Sequence, residues 1–200
     1  PRTQTSASGG PRLCHRNHED HSRSRNHHRR HPTSRHPQCN TTKRDRGRTC
    51  NFKGMRAMTN HLEQIMRQAV VRSITHVKSG GLPFVGVIVD GQQVISEFGV
   101  NRVQETGDPS AHAEITAIRD ALTSSGRTDL RSTTLLATGE PCGMCYRHAV
   151  NARIADIRVA VDRDQVAELG FDYRYSYPAF DITDSLRNTL MRPLRVSGDT

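Results

Sequence analysis

Leu62, Ile65, Met66, Ala69 and Val77, with Ser73 among them, recur at three- and four-residue spacing, the period of a helix with one buried face. Just ahead, Asn60-His61-Leu62-Glu63 has the form of a capping box, so the helix is expected to begin there. Gly80-Gly81 stops it, and Pro83 keeps the backbone extended into Phe84 to Val89, an apolar run of strand length. Asp90-Gly91 is a favoured two-residue hairpin turn, and Val94 to Phe98 supplies the returning strand. Farther on, Ile115, Ile118 and Leu122 lay an apolar stripe along a second helix that Ser110 is placed to cap. Thr133 to Thr138 predicts a third strand, Glu140-Pro141 opens a third helix, and Ala155 to Val161 predicts a fourth strand. Strands alternating with helices demand right-handed crossovers. The expected architecture is therefore α/β, with a parallel core, an antiparallel hairpin at one side and helices over both faces, in three layers.

Charge divides the chain at residue 56. Residues 1–56 hold 14 Lys and Arg against 3 Asp and Glu, an excess of 11 positive charges, whereas residues 57–200 hold 15 against 17. The first segment also carries seven of the eleven histidines and only seven apolar residues, too few to repay the entropy of ordering a backbone. A disordered basic leader is expected there, and its Arg and His runs offer the one route to nucleic acid, through phosphate contacts. Met55 and Met58 mark where a shorter natural product would begin. Cys14, Cys39 and Cys50 lie in the leader without paired spacing and are expected to be idle thiols. No apolar stretch approaches the roughly eighteen residues needed to span a bilayer, so no membrane partner is expected and the cytoplasm is the expected location. Residues 57–200 are enough for one core.

The chemistry concentrates in two short stretches. His112-Ala113-Glu114 is followed, after twenty-six residues, by Pro141-Cys142-Gly143-Met144-Cys145. One imidazole and two thiolates make three ligands of a tetrahedral Zn2+ whose fourth position stays open, the pattern of a catalytic rather than a structural site. Such a metal polarises a water, moving its pKa from about 15.7 towards about 7. Glu114 stands two residues from His112, a spacing that splays side chains along a regular helix but lets both lean into one site at its first turn. A carboxylate there can take a proton from the water and deliver it to a leaving group. Cys142 and Cys145 are one turn apart and face one side of their helix.

His-x-Glu followed by Pro-Cys-x-x-Cys is the signature of zinc-dependent base deaminases. Over about residues 58–182 the chain resembles the cytidine deaminase-like superfamily, nearest to the bacterial guanine deaminases and slightly further from the tRNA adenosine deaminases. The resemblance implies the cytidine deaminase-like form of the three-layer fold, Zn2+ as cofactor, a small nucleobase as substrate and a homodimer as the working form. It also implies a base-binding role for Asn101, eleven residues before His112. Gly170-Phe171-Asp172 looks like the closing segment of guanine deaminases, supplied in some members by the neighbouring subunit, and Asp172 would read the base. Five of the chain's nine Phe and Tyr residues fall in the ten positions after Gly170, which argues that residues 170–182 are ordered. Phe84 either stacks on the base or belongs to the core. Gly143 departs from the pattern, because guanine and tRNA deaminases usually carry Pro there and cytidine-type enzymes carry Gly. Guanine is the expected substrate. Cytosine, cytidine or another aminated heterocycle, tRNA adenosine, and a silent zinc-stabilised binding module are the alternatives.

Overall fold

The computed structural model describes residues 52–196. The chain divides into two units, Pro1–Arg46 and Gly47–Thr200, and the described residues belong to the second. The expectations for residues 1–51 of the leader, its basic runs, Cys14, Cys39 and Cys50 fall outside the described residues, whereas residues 52–56, expected to be disordered, are helical because they continue the helix that follows.

Helix α1 runs over Phe52–Lys78, so Asn60 and Glu63 lie in its interior and the expected capping box is not its start. Once nucleated, a helix propagates cheaply through good formers such as Ala57 and Met58. Leu62, Ile65, Met66 and Ala69 are buried, as the spacing predicts. Ser73 is buried as well, its hydroxyl donating to the Pro83 carbonyl at 2.9 Å. Val77, one turn farther on, is 46% exposed rather than buried.

Strand β1 (Val85–Asp90) turns through Gly91-Gln92, one residue later than expected, because Asp90 pairs with Gln93. The returning strand is not continuous. It is split into β2 (Gln93–Val94) and β3 (Gly99–Val100), both antiparallel to β1. Val89 pairs with Val94 and Gly86 with Gly99, so five steps on one strand face three on the other. The excess is taken up where the Ser96 hydroxyl, in place of a backbone carbonyl, accepts the Ile88 N–H at 2.9 Å. A short helix α2 (Val103–Thr106) precedes α3 (Ala113–Ser125). Then come β4 (Thr133–Gly139), α4 (Gly143–Asn151), β5 (Asp156–Val161) and α5 (Arg163–Glu168), followed by α6 (Ser176–Ala179), α7 (Asp184–Leu190) and β6 (Met191–Pro193).

The sheet runs β2-β1-β4-β5-β6, with β3 also on β1. β1 lies antiparallel to β4, and β4, β5 and β6 are parallel, which is the expected mixed sheet with its hairpin at one side. Val85, Val87 and Val89 turn one way, to α1, while Ile88, Leu135 and Ile157 turn the other way, to Ala117, Ile118 and Ala121 of α3 and to Tyr146 and Ala149 of α4. Alternation along the strands thus makes three layers. Among the described residues no helix is long and apolar enough to cross a membrane.

Candidate metal centre and the cavity beside it

Gly86 and Gly99 let the start of α3 come down onto the sheet. A Cβ at Gly86 would stand 2.9 Å from Glu114 Cα, and one at Gly99 would stand 2.4 Å from the Ala113 carbonyl oxygen. His112 is the N-cap of α3 by backbone conformation, with no side-chain cap. Ser110 does not cap the helix as expected. Its N–H and hydroxyl both donate to Asp108 Oδ1 at 2.8 and 2.6 Å, and Arg119 donates to Asp108 Oδ2 and to Ser110 Oγ. That network holds the loop delivering His112, while the Arg102 N–H donates to the Ala111 carbonyl at 2.8 Å.

Cys142 is the N-cap of α4 and Cys145 lies in its first turn, just beyond the end of β4. The structure brings the predicted ligands together. His112 Nδ1 is 3.6 Å from Cys142 Sγ and 3.4 Å from Cys145 Sγ, and the two sulfurs are 3.5 Å apart. They form a group that can hold a metal ion. Tetrahedral zinc, with bonds of about 2.3 Å to sulfur and about 2.0 Å to nitrogen, has ligand-to-ligand edges of about 3.5 to 3.8 Å. The three atoms therefore fit three corners with adjustments of a few tenths of an ångström. Hydrogen bonds with Cys145 and His112 pull the Cys142 thiol down to about 4, whereas burial pushes Cys145 well up. The Cys142 contact raises His112. Glu114 is 5% exposed, with Oε2 accepting from Cys145 Sγ at 3.4 Å, and burial raises its carboxyl to about 7.

A cavity of about 400 Å3 opens on this group. His112, Glu114 and Cys142 form one wall, and Asn101, Asp172 and Phe84 all reach it. Asn101 Oδ1 accepts the Val103 N–H at 3.2 Å, leaving its amide NH2 outside that turn. Both Asp172 oxygens are held by Arg174, at 2.9 and 2.7 Å, and Arg174 is anchored in turn on Asp164 at 2.9 Å. Phe84 packs edge-on against Phe171, with ring centroids 5.3 Å apart, and against Tyr173 at 6.3 Å, so it both lines the cavity and belongs to an aromatic cluster.

The profile of the cytidine and deoxycytidylate deaminase zinc-binding region matches residues 59–161. Guanine deaminase of Bacillus subtilis is 38% identical over 123 residues, 61% of this chain and 78% of that protein. The chain belongs to the zinc-binding deaminase family. The crystal structure of the Bacillus subtilis guanine deaminase superposes with a TM-score of 0.55 at 37% identity, over 58% of this chain and 74% of that one. A tRNA-specific adenosine deaminase of Haemophilus influenzae is 35% identical over 92 residues, 46% of this chain and 53% of that protein.

As in this family generally, Zn2+ is the cofactor. Two features of this deaminase were not legible beforehand. Glu140, expected only to open a helix, is a buried carboxylate at the cavity wall. Gly143 serves a close approach: a Cβ there would stand 2.4 Å from the Ser176 carbonyl oxygen, and its N–H donates to Ser176 Oγ at 2.8 Å. A proline could make no such bond, so packing by itself accounts for the glycine. A charged residue placed directly after an apolar strand was the one signal that Glu140 needed a partner.

Proposed function

We propose that this chain hydrolyses guanine to xanthine and ammonia, with His112, Cys142 and Cys145 holding the zinc. The observation that carries the reading is the placement of the Glu114 carboxylate. It is buried 3.4 Å from Cys145 Sγ, on the wall of a cavity whose other walls present Asn101 and Asp172. When bound, the metal supplies a Lewis acid that lowers the pKa of a water towards about 7. Glu114 accepts that water's proton and delivers it to the amine nitrogen, so that water adds at the amine-bearing carbon and ammonia leaves with its full complement of protons. The Asn101 amide can donate and accept at once, Asp172 accepts from ring N–H groups, and Phe84, Phe171 and Tyr173 offer aromatic surface to a planar bicyclic base. The likeness to a guanine deaminase over most of that protein's length supports the substrate.

The match to tRNA-specific adenosine deaminase favours a second reading, adenosine in RNA. Against it, residues 57–200 hold 15 basic and 17 acidic side chains, a poor counterpart to a phosphate backbone unless residues 1–56 supply the charge. We take a homodimer as the working form, measurable by light scattering. Ammonia release from guanine, guanosine, cytosine, cytidine, adenosine and tRNA tests the reading. Guanine is expected to turn over, and cytidine or tRNA turnover without guanine turnover would overturn it.

A further inference from the structure

Glu140 is 1% exposed, yet it borders the cavity. A buried carboxylate persists only if its lone pairs are occupied, and a carboxylate has about four such positions. Oε1 accepts from Arg187 Nε and, at 3.0 Å, from the Tyr146 hydroxyl. Oε2 accepts from Arg187 Nη2 at 2.8 Å and from the Arg163 N–H at 2.8 Å. Every position is filled. Glu140 has nothing left with which to take a proton or grip a substrate, so its work is mechanical.

The donors come from α4, α5 and α7, and α6 with the turn before it ties down the backbone around Glu140. The Tyr173 hydroxyl donates to the Glu140 carbonyl, and the Tyr177 hydroxyl to the Pro141 carbonyl at 3.1 Å. Ser176 Oγ accepts the Gly143 N–H at 2.8 Å and donates to the Tyr173 carbonyl at 2.6 Å. Glu140, Pro141 and Gly143 are thus each bonded to residues 173–187. Cys142, between them, is left to the metal.

We propose that Glu140 is a positioning residue: with its side chain clasped by Arg187 and its carbonyl held by the Tyr173 hydroxyl, it joins the metal-ligating Cys142 and Phe171–Tyr173, which roof the cavity, into one rigid unit. The proposal rests on the metal-site reading above, but not on guanine as substrate. Displacing the clasp loosens the ligand and the roof together.

The test uses the zinc-loaded full chain and its Arg187→Met variant. Zinc transfer to a colorimetric chelator and amide hydrogen exchange are followed without substrate, and kcat and KM are then measured with guanine. Support groups behind metal ligands typically change metal affinity by about 10- to 100-fold. Arg187→Met is expected to speed zinc loss about tenfold and to speed exchange across residues 170–182, with α3 and β1 unchanged, while KM rises and kcat falls. Should that variant not fold, Tyr177→Phe, which removes one hydroxyl, is expected to show the same pattern at about threefold. Unchanged zinc loss, or exchange that rises equally in α3 and β1, overturns the proposal. Absence of guanine turnover in the unsubstituted chain overturns the substrate reading instead, because zinc loss and exchange do not depend on it.

Discussion

Replacing Gly143 by Ala puts a methyl where the Ser176 carbonyl oxygen stands 2.4 Å and its carbon 2.7 Å away. Both are backbone atoms, so no rotamer change relieves the contact, and ordinary separation requires α6 to retreat by about 1 Å. That retreat stretches the 2.8 Å bond from the Gly143 N–H to Ser176 Oγ beyond hydrogen-bonding range. Overpacking of this kind costs about 1–3 kcal/mol and the lost bond about 1 kcal/mol, offset by up to about 1 kcal/mol from the better helix propensity of alanine. The net expectation is a loss of about 1–3 kcal/mol. With a urea slope of about 1–3 kcal/mol per molar, the midpoint of the zinc-loaded protein should fall by roughly 1 M in a circular-dichroism titration. The same retreat lifts the roof from the cavity, so KM for guanine should rise. Gly143→Pro loses the N–H altogether and should be at least as unstable, although proline is favoured at the first position of a helix. A midpoint equal to or above that of the parent, the result helix propensity alone would produce, refutes the reasoning.

Glu114→Gln keeps the shape of a buried side chain and removes its proton transfer, so kcat should fall about 10²- to 10⁴-fold while elemental analysis still finds one zinc per chain. Asn101→Ala and Asp172→Asn should raise KM for guanine more than they lower kcat, and steady-state kinetics that show only a kcat effect would remove these residues from substrate binding. Stripping zinc with dipicolinate should end turnover and lower the melting temperature, both restored by added Zn2+. Because burial holds Cys145 as a thiol at neutral pH, rebinding zinc should release at least one proton, measured by calorimetry in buffers of different ionisation enthalpy.

The candidate metal site was readable from one dimension because its parts are local. His112 and Glu114 occupy the cap and first turn of α3, and Cys142 and Cys145 the cap and first turn of α4, so short spacing prescribes direction. The buried faces of α1, α3 and β5 were readable for the same reason, since burial imposes a period of 3.6 or 2 on the residues themselves, while β1 and β4, buried on both faces, were readable as short apolar runs. The split of β2 from β3 was not, because it depends on one serine hydroxyl replacing a carbonyl across the hairpin. Nor was β6, a strand of three residues that exists by pairing with β5. Glu140 and Gly143 take their meaning from Arg187, Tyr173 and Ser176, between 33 and 47 positions away. Periodicity carries no record of a partner at that distance. The sequence by itself determined the candidate metal ligands and the layers, while folding decided what closes over them, because hydrogen bonds between distant segments are specified only once the chain has brought those segments together.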